Sequence, residues 1–216
     1  MNSADFASLL CSRLCHDLVS PVGSLYNGVE LLAEETDPDM RERCMDLLMD
    51  SAKQTANKLK FFRLAFGAAG GFGDMVDTRE AQAALEGVFG KERRIEVTWL
   101  VDGQPMPKGA VKMLLNLAMI AGDALLRGGT LQVASEDRDG AIEVAVRAEG
   151  PRLLLDEDLR TVLTNGCDLN DLTPRAAAAY LVCLLAEEAG TQVQVSEAEG
   201  SLVFGASLRK PNGMIG

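Results

Sequence analysis

Apolar side chains recur at helical spacing over residues 4–34 and again over 38–66, with Glu35, Thr36 and Asp37 between the two runs. Pro38 suits the first turn of the second helix and Gly67 its C-terminal cap. The pattern therefore predicts a long antiparallel helical hairpin, each arm roughly 45 Å at 1.5 Å per residue. The second arm sets Met40, Cys44, Leu47, Leu48, Ser51, Thr55, Leu59, Phe62 and Phe66 along one stripe. Two such helices cannot bury their stripes alone, and the simplest completion is a second copy, making a four-helix bundle across a twofold axis. A homodimer is expected. Near residue 70 the pattern changes, because GAAGGFGD places four glycines in eight residues and interrupts any regular element. The expected boundary separates a hairpin over 1–70 from a second domain over 75–216.

Beyond residue 77 the periods alternate. Helices are predicted over 78–88, 107–127, 155–163 and 174–189, and strands over 94–101, 130–136, 141–148, 191–197 and 201–208. Ile95, Val97, Trp99 and Val101 alternate along one strand, as do Ile142, Val144 and Val146 along another, so each strand should turn one face to covering helices. Thr173, Pro174 and Gly190 are expected to serve the last helix as N-cap, first-turn proline and C-cap. The fold class is α+β, an all-helical hairpin followed by an α/β layer.

Composition narrows the function. The chain has 216 residues, with acids outnumbering bases 32 to 21 for a formal charge of −11. That balance weighs against nucleic acid and anionic membrane as partners and favours protein. No run approaches the roughly 20 apolar residues of a membrane span, and MNSADFASLL lacks the basic start of a secretory leader, so a cytoplasmic location is expected. Cys11, Cys15, Cys44, Cys167 and Cys183 are odd in number and show no C-x-x-C spacing; they read as reduced core thiols.

His16 is the single histidine, so any imidazole chemistry rests on it. At about 100° per residue, Leu9, Ser12, Arg13, Ser20, Gly23 and Asn27 fall within roughly 60° of it, while Ala7, Leu14, Leu18, Leu25, Val29 and Leu32 lie opposite. His16 thus faces outward, amid small polar side chains that leave room for another surface. Pro21, which has no N–H to donate, invites a local kink one turn on. Charge is polarised along the hairpin: residues 30–50 carry eight acids against Arg41 and Arg43, whereas 51–66 carry Lys53, Lys58, Lys60 and Arg63 and no acid. In an antiparallel hairpin the basic stretch lies level with His16 and, with Arg13, would attract a phosphoryl group or an acidic pocket carrying one. An idle surface histidine on a solvated, mixed-charge helix is the competing reading. Metal binding by Cys11, Cys15 and His16 finds little support, since Cys15 and His16 diverge by about 100° and no fourth ligand stands at a zinc spacing. A Cys–His nucleophilic pair fails because adjacent helical residues do not face each other.

The run Leu14-Cys15-His16-Asp17-Leu18-Val19-Ser20-Pro21-Val22 resembles the phosphoacceptor box of two-component histidine kinases. The downstream half resembles their ATP-binding domain in element order, with the nucleotide motifs lost. Asn116 stands first in the asparagine box, but Ile120 occupies the place of the magnesium-binding asparagine. In Ala148-Glu149-Gly150-Pro151-Arg152-Leu153, Ala148 replaces the aspartate that reads adenine and Arg152 replaces a glycine. Ala176, Ala177, Ala178 and Ala179 fill the glycine positions before Tyr180-Leu181-Val182, where methyl groups obstruct a phosphate. A kinase-like body without these motifs resembles the ChpT-type histidine phosphotransferases of alphaproteobacteria over essentially the whole chain.

The resemblance implies a dimeric four-helix bundle followed by a degenerate histidine-kinase-type (Bergerat-like) α/β sandwich. It further implies relay of phosphate, through His16, from the receiver domain of a hybrid histidine kinase to response regulators of the CtrA and CpdR types. No cofactor of its own is expected: the ATP site is degenerate and magnesium would arrive with the receiver. In this reading Asp17 orients the ring, Arg13 and Lys58 balance phosphate charge, Ser20 positions phosphate or water, and Val22 and Tyr26, with Lys58, line a receiver groove. A receiver-binding scaffold without enzymatic activity and a receiver phosphatase are the alternatives.

Overall fold

Why the first two helices run so long is answered at their junction. In the computed structural model, which describes residues 3–67, 74–89, 93–138, 140–166 and 172–209, α1 (Ser3–Glu34) and α2 (Pro38–Ala65) are joined by a three-residue turn. The Asp37 carboxylate accepts from the Asp39 and Met40 amides at 2.9 and 3.2 Å, with Pro38 in the first turn. Across the turn the Arg41 guanidinium donates to the Leu32 and Glu35 carbonyls, satisfying the end of α1. α1 runs on through Pro21, the site of the expected kink, without interruption.

Burial in the hairpin falls on a narrower set than expected. Cys44, Ser51 and Phe62 are buried and Leu48 and Thr55 half-buried, but Met40, Leu47 and Leu59 of the predicted stripe are exposed, because they lie to either side of the line facing α1. The hairpin also exposes Val19, Val22, Tyr26 and Val29 on α1 and Met45 and Met49 on α2. These recur at alternating three- and four-residue steps, a second seam that the protomer leaves open. Cys11 and Cys15 are exposed rather than in the core as expected, and Cys44 is buried, all three as free thiols; Cys183 is half-buried and its thiol donates to the Val162 carbonyl at 3.3 Å. Cys167 and the glycine-rich stretch taken as the domain boundary lie outside the described residues.

The remainder forms a layered α+β body. After β1 (Met75–Val76) come α3 (Thr78–Phe89), β2 (Ile95–Leu100), β3 (Met106–Pro107), α4 (Lys108–Ala124), β4 (Gly129–Arg138), β5 (Ala141–Glu149), α5 (Glu157–Asn165), α6 (Ala177–Glu188), β6 (Gln194–Ala198) and β7 (Ser201–Arg209). Five strands pair in the order β2-β4-β5-β7-β6, with β2 parallel to β4 and the rest antiparallel. Leu131, Val133, Val144, Val146, Ala148, Leu202 and Phe204 are buried beneath the helices, while Gln132, Arg147 and Ser207 on alternate positions are not. β1 and β3 pair as a separate two-stranded piece that the sequence pattern does not reveal. α6 starts at Ala177, later than residue 174: Thr173 Oγ1 accepts from the Ala176 amide at 3.3 Å, so Thr173 closes a turn that precedes the helix. Gly190 follows its end at a φ of 65°, as a C-terminal glycine should.

The hairpin is seated on this body through its open end. Phe61, Phe62, Leu64 and Ala65 of α2 belong to the same buried core as α4, and Phe6 of α1 meets Tyr180 of α6 edge to face at 5.1 Å between ring centres. Leu9 and Leu14 of α1 pack against the same core, so His16 is held close beside the body.

Candidate functional site around His16

His16 projects from α1 with 86% of its side chain exposed, the outward placement that the helical period predicts. Its Nδ1 lies 3.0 Å from Asp17 Oδ1. The other carboxylate oxygen, Oδ2, accepts from Arg13 Nε at 2.9 Å across one helical turn. Arg13 then reaches out of the hairpin, its Nη2 donating to Asp123 Oδ2 on α4 at 2.9 Å, and Asp123 Oδ1 accepts from Arg93 Nη1 at 2.6 Å. An alternating chain of four charges, Asp17, Arg13, Asp123 and Arg93, thus runs from the imidazole into the second half of the molecule.

Proline accounts for the place of Lys58. Lacking an N–H, Pro21 leaves the Asp17 carbonyl, four residues earlier, without its helical donor. The Lys58 ammonium of α2 supplies the bond at 2.7 Å. Lys58, expected in a receiver groove, is therefore engaged at the flank of the site, and of the basic stretch 51–66 it is the member that bonds to the His16 segment; Arg63 pairs with Glu80 instead.

These contacts move the titrations in consistent directions. Burial pushes the Asp17 carboxyl up, but the hydrogen bond to His16, the charge and hydrogen bond of Arg13 and the charge of Lys58 outweigh it and hold the group below the usual aspartate range. Burial draws the Arg13 guanidinium down, and Asp123 and Asp17 together more than reverse that. Lys58 is lowered, chiefly by burial, with the attraction of Asp17 opposing. Asp17 is thus a carboxylate at neutral pH.

An open cleft of about 910 Å³ lies beside His16, bounded by Ser12 and Arg13 on one side and by Asp123, Leu126, Pro174 and Arg175 on the other. Arg175 is paired with Asp156 at 3.1 Å. Ser20 is exposed on α1, and Val22 and Tyr26 are 48% and 65% exposed farther along the same helix. Arg93, Asp123 and Arg175 are absent from the residues read off the sequence. Asp123 did carry a signal, being the one acid between Lys108 and Leu126 in a helix otherwise almost wholly apolar.

The positions of the nucleotide boxes are filled. Ile120, Ala148 and Ala176 to Ala179 are buried in the core, and the cavity left near Ile120 and Ala178 measures about 30 Å³, room for a water molecule. Asn116 is fully buried and its amide donates to the Ala65 and Lys112 carbonyls at 3.0 and 2.8 Å, tying α4 to the end of α2. Arg152 is exposed.

Residues 78–201 match the family of the histidine phosphotransferase C-terminal domain. Over 206 residues, 95% of this chain and 97% of the relative, the sequence is 36% identical to protein phosphotransferase ChpT of Brucella abortus (strain 2308). The chain belongs to the histidine phosphotransferases. This histidine phosphotransferase also superimposes on a solved bacterial phosphotransferase with a TM-score of 0.84 at 34% identity, covering 95% of this chain and 97% of that one. The described helices of the phosphotransferase include none long and apolar enough to cross a membrane.

Proposed function

We propose that this phosphotransferase relays a phosphoryl group through His16, accepting it from the aspartyl phosphate of a hybrid kinase's receiver and passing it to receiver aspartates of response regulators, including those of the CtrA and CpdR types. One observation carries the reading: the imidazole is exposed while its Nδ1 is held by Asp17, so that Nε2 is the nitrogen free to react. With Nδ1 protonated and donating to Asp17, the Nε2 lone pair attacks phosphorus and the bond from phosphorus to the receiver carboxylate breaks, returning its electron pair to that oxygen. The ring acquires positive charge as the N–P bond forms, and the Asp17 carboxylate stabilises it without taking the proton. The loose transition state makes in-line placement the main requirement, and a ring fixed at one nitrogen meets it. Reversal hands the group to the next receiver.

The protein uses no ATP in this reading, since apolar side chains occupy the adenine and phosphate positions, and magnesium belongs to the incoming receiver. It acts in the cytoplasm, where free thiols persist. The exposed seam of Val19, Val22, Tyr26 and Val29 on α1 with Met45 and Met49 on α2 supports a homodimer closing a four-helix bundle, and its members nearer His16, Val22 and Tyr26 among them, are offered to a receiver helix. Asp17 orients the ring; Ser20 lies within one turn for phosphate or water.

The test mixes the purified protein with a receiver domain carrying labelled aspartyl phosphate, with His16→Ala and labelled ATP plus magnesium as parallel arms. Label on the wild type alone supports the relay. Label that stays on a bound receiver favours a scaffold, label released as inorganic phosphate favours a phosphatase, and label taken from ATP overturns the ATP-independent reading.

A further inference from the structure

We propose that Asp123, at the C-terminal end of α4, is a positioning residue for phosphoryl transfer at His16, acting through Arg13 to leave one oxygen of Asp17 for the imidazole; the proposal rests on His16 being the phosphoacceptor. Arg13 presents Nε and Nη2 along one edge, the pair with which a guanidinium grips a carboxylate in two parallel bonds. Here the edge is split: Nε goes to Asp17 Oδ2 and Nη2 to Asp123 Oδ2, both at 2.9 Å. Asp17 Oδ1 is consequently left to His16 Nδ1 at 3.0 Å. Without Asp123, Nη2 turns onto Asp17 as well, the arginine takes both oxygens, and the imidazole loses the partner that sets its tautomer.

Asp123 is itself fixed. Arg93 holds its second oxygen and stacks over the Phe89 ring at 5.2 Å, while Gly122 lies against that ring so closely that an added Cβ would sit 2.4 Å from Phe89 Cε1. α4 stops immediately afterwards, where Leu125 bridges to Leu153. A carboxylate on the pinned end of a buried helix is a firmer anchor for Arg13 than a loop residue would be. The contact spans 110 residues of sequence and joins the body that lacks nucleotide motifs to the phosphoacceptor helix. The second half of the chain then takes part in the chemistry through one side chain.

The experiment uses the full chain with Asp123→Ala, which removes the acceptor, and Asp123→Asn, which keeps its shape and one acceptor. Two readouts are taken: single-turnover transfer from a labelled receiver across receiver concentration, and nitrogen NMR of the imidazole, unambiguous because the chain holds one histidine. For Asp123→Ala the saturating rate falls about tenfold, as for other outer partners of functional imidazoles, with half-saturation within twofold and the ring shifted from the Nδ1–H form toward Nε2–H; Asp123→Asn is intermediate. Added to Asp17→Asn, Asp123→Ala has no further effect on the rate. A wild-type imidazole spectrum in both variants overturns the proposal, as does a change confined to half-saturation, which would make Asp123 a docking residue. If Asp123→Ala does not fold, the spectrum of the isosteric Asp123→Asn decides. Because the spectrum needs no phosphate, it separates failure of this link from failure of the relay itself, which His16→Ala reports.

Discussion

Lys58→Met isolates the bond that proline makes necessary. The substitution keeps an unbranched apolar stem but removes the donor to the Asp17 carbonyl, a part-buried contact of 2.7 Å. Leaving a buried carbonyl unsatisfied costs roughly 1–3 kcal/mol. Lys58 is only half-buried and water reaches its flank, so about 1.5 kcal/mol is the appropriate size after discounting for solvent. With an m-value of about 3 kcal/mol/M, the urea midpoint drops by roughly 0.5 M at fixed protomer concentration. In a Pro21→Ala background the amide gained at that position supplies the missing donor from within α1, and the same Lys58→Met change should then cost less than about 0.5 kcal/mol. The coupling energy of the cycle is therefore about 1 kcal/mol. Equal losses in the two backgrounds would mean that Lys58 stabilises through its stem or its charge and not through the carbonyl that Pro21 frees.

Two further outcomes follow from the same contacts. The Asp17 carboxyl is held below the usual aspartate range in the folded state, so the stability it contributes is fully present above that range and is lost as pH falls through the folded value; the gap in urea midpoint between wild type and Asp17→Asn should stay constant from pH 7 to about 5 and close only on further acidification, and a gap that widens in acid would contradict the assignment. Gly122→Ala drives a methyl into the Phe89 ring, a steric overlap that costs about 1–3 kcal/mol and lowers Tm by roughly 2–10 °C; an unchanged Tm would show that the ring turns aside.

His16 and its outward direction were legible because a single helical period decides which way α1 turns each side chain, and the order of helices and strands followed from the change of period near residue 77. What escaped was set by distance along the chain. Asp123 meets Arg13 across 110 residues, through the packing of α4 beside the hairpin, and Arg93 meets Asp123 across a further 30, and no local pattern encodes either meeting. β1 and β3, two residues each, are too short to show alternation. The later start of α6 reflects a turn at Thr173 that competes with capping for the same hydroxyl. Met40, Leu47 and Leu59 were misplaced because α2 carries more than one apolar line, and which of them meets α1 is decided by how the two helices are rotated, not by the period.

A relay has to let go of what it takes. The arginines around the cleft are each already matched to acids: Arg13 to Asp17 and Asp123, Arg93 to Asp123, Arg175 to Asp156. A guanidinium so matched offers a doubly negative guest only a weak grip, whereas three bare arginines beside His16 would form a trap and turn a carrier into a sink. In the relay proposed above, arginines already matched to acids would hold phosphate loosely, so that which receiver next docks, and in what state, would decide where the phosphate goes.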